Sequence, residues 1–192
     1  MIADKDRSGW FGASDTSYIL GNWKTKSFEK WWLVKLGIIE NTFETKYTVA
    51  GTHYEHKIID ALGINAEKDK QIIIPELRLR VNLDANTVDT IHEIKTFKED
   101  KGFKKPPKKY IEQVVVQMFA SGLRKAYIDA YPMTEEHYKN YFMEIDPKKI
   151  KQFPAEYDSN LINTYLPRVK YLKDCLNEGV FPDGGFVGHN HN

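Results

Sequence analysis

Asp84 is followed, after eight intervening residues, by Glu93-Ile94-Lys95. Alternation along a strand would put Glu93 and Lys95 on one face and turn Ile94 into the core. If the two segments pair as a hairpin, that face gathers two carboxylates and an ammonium. Two hard anionic oxygens so close repel one another unless a divalent cation sits between them, and Mg²⁺ prefers such ligands. The backbone carbonyl of Ile94 is available as a third oxygen. A neighbouring lysine can orient or deprotonate an attacking water, or stabilise charge developing on a phosphate. The same spacing also builds an ordinary cross-strand salt bridge at a surface, so it does not choose by itself.

Tyr110, Gln113 and Gln117 form one polar stripe on an otherwise apolar stretch, at i, i+3 and i+7. A buried amide without a partner costs roughly 1–3 kcal/mol. These glutamines therefore bond backbone or water, or face the carboxylates if their helix packs beside the hairpin. Glu55, in Gly51-Thr52-His53-Tyr54-Glu55, is a third candidate carboxylate on a helix, where most glutamates are simply solvated. Arg7 and Ser14 together offer a forked cationic donor and a hydroxyl near a helix N-terminus, a combination suited to a phosphate. His53, His56 and His92 lie near these positions in sequence, but such histidines are more often structural. Asp89 sits in the expected turn and competes poorly with Asp84 as a ligand. Trp10, Trp23, Trp31 and Trp32 could stack on bases, although core packing is the commoner use. His189 and His191 fall in a glycine-rich tail.

The elements that must position these groups can be read from hydrophobic period. Ser14-Asp15 before Tyr18-Ile19-Leu20, closed by Gly21, predicts a short helix capped by the serine. Ser27 opens a second helix, with Phe28, Trp31, Trp32, Val34 and Leu36, ending at Gly37. A third covers 44–62 and stops at Gly63. Gly51 inside it is unfavourable by about 1 kcal/mol against alanine, which suggests close approach of something to the backbone or tight helix packing. From 71 the period becomes two. Gln71-Ile72-Ile73-Ile74, then Leu77, Leu79, Val81 and Leu83, then Val88, Ile91 and Ile94 predict a three-stranded meander with one polar and one apolar face. Pro106-Pro107 sit where the apolar helix 110–121 would begin, and Gly122 closes it. Segments 126–131 and 141–145 read as two further strands, and 157–176 as a final amphipathic helix. Together these predict an α/β fold, a sheet covered by helices.

The chain has 192 residues, 41% hydrophobic and 29% charged, which fits one soluble domain. No apolar run approaches the roughly 18 residues that span a bilayer, and the N-terminus has no signal-like stretch. A single cysteine, Cys175, excludes an internal disulfide framework and a multi-cysteine zinc site, so a reducing cytoplasm is expected. The net charge of +1 hides a local excess: seven lysines against Glu99 and Asp100 between Lys95 and Lys109. That run is either a solvated loop or a mobile basic loop that gathers a polyanion near the site.

In combination these residues resemble the phage lambda-exonuclease family, the YqaJ-like viral recombinase nucleases of the PD-(D/E)XK superfamily. Arg7 precedes Phe11-Gly12-Ala13-Ser14-Asp15, Gly51 stands four residues before Glu55, Asp84 leads to Glu93-Ile94-Lys95, and Tyr110 and Gln113 precede Gln117. The four boxes occur in family order over roughly two-thirds of the chain. The resemblance implies a restriction-endonuclease-like core with a central mixed sheet flanked by helices. It divides residues 1–192, as a single nuclease domain, into N-terminal helices (7–63), a core meander and helix (70–131) and a C-terminal strand and helix (141–178). It also implies that Asp84, Glu93 and the Ile94 carbonyl hold Mg²⁺ or Mn²⁺, with Glu55 in support and Lys95 positioning the water. Arg7, Ser14 and Gln113 would hold a 5′-phosphate, and Tyr110 and Gln117 would line the DNA site. The implied reaction is 5′→3′ digestion of double-stranded DNA ends in a bacterial cell, leaving 3′ overhangs for an annealing protein, by a ring-shaped trimer. Ala85 stands where the family often has glycine. Asn82 stands where a relative would carry a small hydroxyl residue.

Two other readings use the same residues. One keeps the nuclease fold with endonuclease or single-strand activity, because a fold does not fix function. The other is a non-catalytic nucleic-acid-binding or interaction protein on the same scaffold.

Overall fold

The computed structural model describes residues 8–41 and 45–183, so the expectations placed on Arg7, His189 and His191 lie outside the described residues. Three short helices come first: α1 (Thr16–Leu20), α2 (Lys26–Lys35) and α3 (Lys46–Ala61). Strands β1 (Glu67–Ile74), β2 (Leu79–Asn86) and β3 (Thr90–Lys98) follow. Helix α4 (Lys108–Ser121) leads to β4 (Lys125–Met133), and β5 (Lys151–Glu156) to α5 (Ser159–Glu178). The sheet order is β1-β2-β3-β4-β5. All neighbours are antiparallel except β3 and β4, which run parallel. Parallel neighbours need a crossover, and α4 supplies it.

The meander is therefore present, but neither face is left to water. On one face α4 and α5, with the N-terminal helices, enclose a core that includes Phe11, Trp32, Leu79, Val81, Leu83, Ile91, Val115 and Tyr165. On the other, Ala50, Tyr54, Ile58 and Ile59 of α3 pack with Ala85, Ile94, Tyr131 and Met133. Covering helices explain why β3 reads Thr-Ile-His-Glu-Ile without clean alternation: all five residues are buried. No helix among the described residues is long and apolar enough to cross a membrane.

Several expected boundaries change. Asp15, not Ser14, precedes α1; its carboxylate accepts from the Gly12 amide, the Trp31 indole and the Lys35 ammonium, so its side chain had to be inside. Ser14 lies exposed in a 3₁₀ turn. Helix α2 starts two residues early because the Thr25 hydroxyl, rather than Ser27, caps it by accepting from the Phe28 amide. Leu77 lies in a 3₁₀ turn between β1 and β2, and Val88 is the 95% exposed tip of the β2–β3 hairpin. The strand expected at 141–145 is absent. There the backbone docks on α3 instead, with Asn140 and Tyr141 carbonyls accepting from Tyr54 and Lys57. The true last strand is β5, an edge strand, which is where Pro154 can be tolerated.

Candidate active site

Strands β2 and β3 pair only at Asn86↔Ile91 and Ala85↔His92, whereas β3 stays paired to β4 from Thr90↔Lys125 to Lys98↔Met133. Past Ala85 the two strands diverge, and Asp84 and Glu93 stand next in register at the mouth of the fork. The phase of alternation also changes there. Leu83 joins the core under α4, while Ala85, two residues on, joins the core under α3. On β1 the same level is occupied by Asp69, whose φ of 56° is left-handed. Such a backbone position is unusual for a non-glycine residue and marks an irregular strand.

The fork collects the predicted residues. Asp84 Oδ2 accepts from the Ile94 amide at 2.8 Å, in place of a β2 carbonyl. Within a strand a residue's N–H and C=O point to the same edge, so the Ile94 carbonyl also faces the fork. Glu93 is 2% exposed and is held by three donors. Lys95 Nζ lies 2.6 Å and Gln113 Nε2 2.7 Å from its Oε1, and Gln117 Nε2 is 2.6 Å from its Oε2. The polar stripe of α4 thus turns toward the carboxylates. Gln117 also reaches the Asn82 carbonyl at 3.1 Å, while the Asn82 side chain points outward to Gln71. Tyr110 lays its ring 4.8 Å from Lys95 Nζ.

Glu55 comes from the opposite side, on α3. It lines a cleft of about 250 Å³ with Gly51, Ile94, Lys95, Thr96 and Tyr110, and with Tyr47 and Thr48 at α3's first turns. Gly51 matters here because a Cβ in its place would lie 3.1 Å from Thr96 Oγ1. The close approach inferred from sequence is the approach of α3 to β3. A larger cavity of about 540 Å³, beside Asn86, Ser121 and Leu123, contains none of the candidate residues.

Electrostatically the fork holds more negative charge than it neutralises. Burial, followed by the charges of Glu93 and Glu55, pushes the Asp84 carboxyl well above the usual carboxylate range. Burial, then Glu93 and Asp69, raises Glu55 to about 7. Burial alone would lower Lys95, but Glu93 and Asp84 outweigh it and hold the ammonium protonated. Three carboxylates against one lysine, with a backbone carbonyl on the same edge, is a set of hard oxygen donors short of positive charge. Oxygen donors of this kind are what a divalent cation takes, although the group of three whose ligand atoms already lie within 4.8 Å of one another among the described residues is Glu55, His56 and Asp69.

Other candidates do not bond to these carboxylates. Ser14 makes no hydrogen bond to Gln113 or to the carboxylates among the described residues, although its 3₁₀ turn packs against α4, and Gln113 spends its amide on Glu93. Asp89 stays at the hairpin with Thr90 and Lys125. Trp31 and Trp32 are core residues, and Trp23 stacks on Tyr171. His53 contacts the Tyr141 carbonyl, and His92 pairs with the buried Asp129 at 2.7 Å. Sequence reasoning missed the His56–Asp69 pair (2.9 Å), which groups with Glu55 within 4.8 Å. Asp69 stands there with a left-handed backbone, and nothing in the local sequence announces that.

No protein-family model matches the chain, and no curated protein matches it by sequence. Solved structures do. The alkaline exonuclease LHK-Exo from Laribacter hongkongensis superposes with a TM-score of 0.71 at 18% identity, covering 90% of each chain. A phage-related exonuclease from Haemophilus somnus 129PT gives 0.60 at 18% identity, covering 88% of this chain and 96% of its own. This chain has the fold of those two exonucleases, a five-stranded mixed sheet flanked by helices.

Proposed function

We propose that this chain belongs to the lambda-exonuclease family and is a divalent-metal-dependent deoxyribonuclease, acting 5′→3′ from the ends of double-stranded DNA. The observation that carries the reading is the convergence of Asp84, Glu93, Lys95 and Glu55 at the point where β2 and β3 part. Two exonucleases share the fold, and LHK-Exo has been crystallised with dAMP, a deoxynucleoside monophosphate.

In this reading Asp84, Glu93 and the Ile94 carbonyl hold Mg²⁺, or Mn²⁺ in its place, with Glu55 in support. When bound, the cation supplies Lewis-acid polarisation of a phosphoryl oxygen. Gln113 and Gln117 fix both oxygens of Glu93, so the carboxylate is oriented before any ligand arrives. Lys95 holds a water by hydrogen bond and offsets charge developing on the scissile phosphate. Tyr110 limits the swing of the Lys95 ammonium. Arg7 and Ser14 take the 5′-phosphate, with Gln113 helping once its amide leaves Glu93. The product is a 3′ overhang for a single-strand annealing protein in the bacterial cytoplasm, and residues 1–192 act as one nuclease domain within a homotrimer.

Linear and covalently closed circular duplexes incubated with the protein and Mg²⁺ test this. Loss of the linear form alone, with mononucleotides released, is expected. Equal loss of both forms would assign an endonuclease, and no loss of either would remove the nuclease reading.

A further inference from the structure

We infer that DNA served by this site is gripped along a lysine track that leaves the cleft over Tyr110, follows the 99–107 loop and ends on β5. The identity of the polyanion rests on the nuclease reading; the track itself rests on separate contacts. Tyr110 is shared by two ammonium groups, Lys95 at 4.8 Å on the cleft side and Lys109 at 5.2 Å outside it. Beyond it the Phe103 ring lies nearly parallel to Tyr110 (6.5 Å, 11°), 5.2 Å from Phe97 and 5.3 Å from Phe153. Lys151 Nζ approaches the Phe103 carbonyl at 3.5 Å, closing the loop onto β5.

These contacts pin the basic run at Phe103. Its aromatic anchor fixes where Lys104 and Lys105 stand, immediately after Phe103, both exposed. Of the nearby acids, Glu99 pairs with Lys149 and Glu112 with Lys108, and Asp100 is the one acid of the segment without an ion pair among the described residues. Lys104, Lys105 and Lys109 have no carboxylate partner among the described residues. Exposed lysines without carboxylate partners suit a phosphate backbone, and each phosphate contact releases counterions. Lys109 joins them to the cleft through the Tyr110 ring it shares with Lys95. A nucleic acid strand can follow this path inward, whereas a planar lipid surface cannot.

The test is duplex binding by fluorescence anisotropy, in EDTA so that nothing is cleaved, for the parent and for Lys104→Gln/Lys105→Gln/Lys109→Gln. From about 50 to about 200 mM salt, each lost phosphate contact removes about 0.9 from the slope of log affinity against log salt. The triple variant is expected to bind about tenfold or more weakly, with a slope shallower by about 2–3. Parental affinity and slope in the variant would overturn the track, even if the parent digests DNA normally. Lysine-dependent binding by a parent that digests no DNA would uphold the track and remove the nuclease reading alone. Phosphatidylserine vesicles bound by the parent and not by the variant, with duplex affinity intact, would give the lysines to a membrane and overturn the proposal.

Discussion

The carboxylate of Asp84 closes the gap between two separating strands by accepting the Ile94 amide at 2.8 Å. It does so while buried beside Glu93 and Glu55, whose charges oppose its ionisation. One hydrogen bond and two repulsions meet on a single side chain. Such crowding of like charges costs stability.

Asp84→Asn separates the two effects. The amide oxygen can still accept from Ile94, and one of the crowded charges disappears. Activity should fall about 10²-fold or more, while the melting temperature of the metal-free protein at neutral pH stays level or rises. A drop of several degrees would show that the charge itself supports the fold.

Lys95→Ala should abolish turnover yet leave duplex affinity within about threefold of the parent, because the salt-dependent contacts lie on other lysines. Lys95→Arg should not restore it, since a planar fork cannot replace a compact ammonium against both Glu93 and Tyr110. Binding measured alongside single-turnover rates checks both; affinity lost in parallel with turnover would contradict the division of labour.

Stability should depend on pH in a direction set by Glu55 and Asp84. Both carboxyls are raised in the folded state, Glu55 to about 7, so between the ordinary carboxylate range and about 7 the folded protein holds more protons than the unfolded one. Their contribution is fully present below that range and is lost as pH rises through about 7. A divalent cation replaces the protons, so the rise in melting temperature on adding Mg²⁺ should be larger at about pH 8 than at about pH 6. Thermal scans with Mg²⁺ and with EDTA at both values measure it. A metal-induced rise that is equal or larger at the lower pH would contradict it.

Gly51→Ala places a methyl 3.1 Å from Thr96 Oγ1, so either the Thr96 side chain or α3, with Glu55 on it, must give by a few tenths of an ångström. A loss of about 1 kcal/mol and a lower turnover rate are expected. In a Thr96→Ala background, which removes the opposing oxygen, both losses should shrink. Additive losses across that cycle would show that contact with β3 is not the reason for the glycine.

That Asp84, Glu93 and Lys95 would meet at one hairpin was legible because strand alternation and hairpin spacing are local, and so was the α4 stripe, which declares itself as polar residues on an apolar cylinder. Which acid that stripe would serve was not legible, since it depends on how α4 docks after the β3–β4 crossover. Asp15 and Lys35 form a buried pair at 2.6 Å across two helices, and local capping rules pointed to Ser14 instead. The β5 segment hid behind its lysines and Pro154. The apolar letters of 141–145, with Phe142 86% exposed, imitated a strand that the backbone never forms. The excess of charge around Lys104 was visible, but its Phe103 anchor required residues from β3, α4 and β5.

The metal position is the most direct measurement: anomalous diffraction from crystals soaked in Mn²⁺. A peak bounded by Asp84, Glu93 and the Ile94 carbonyl, absent in Asp84→Asn crystals, is expected. A peak confined to the Glu55–His56–Asp69 group, or none in crystals that diffract well, would contradict a cation held in the fork.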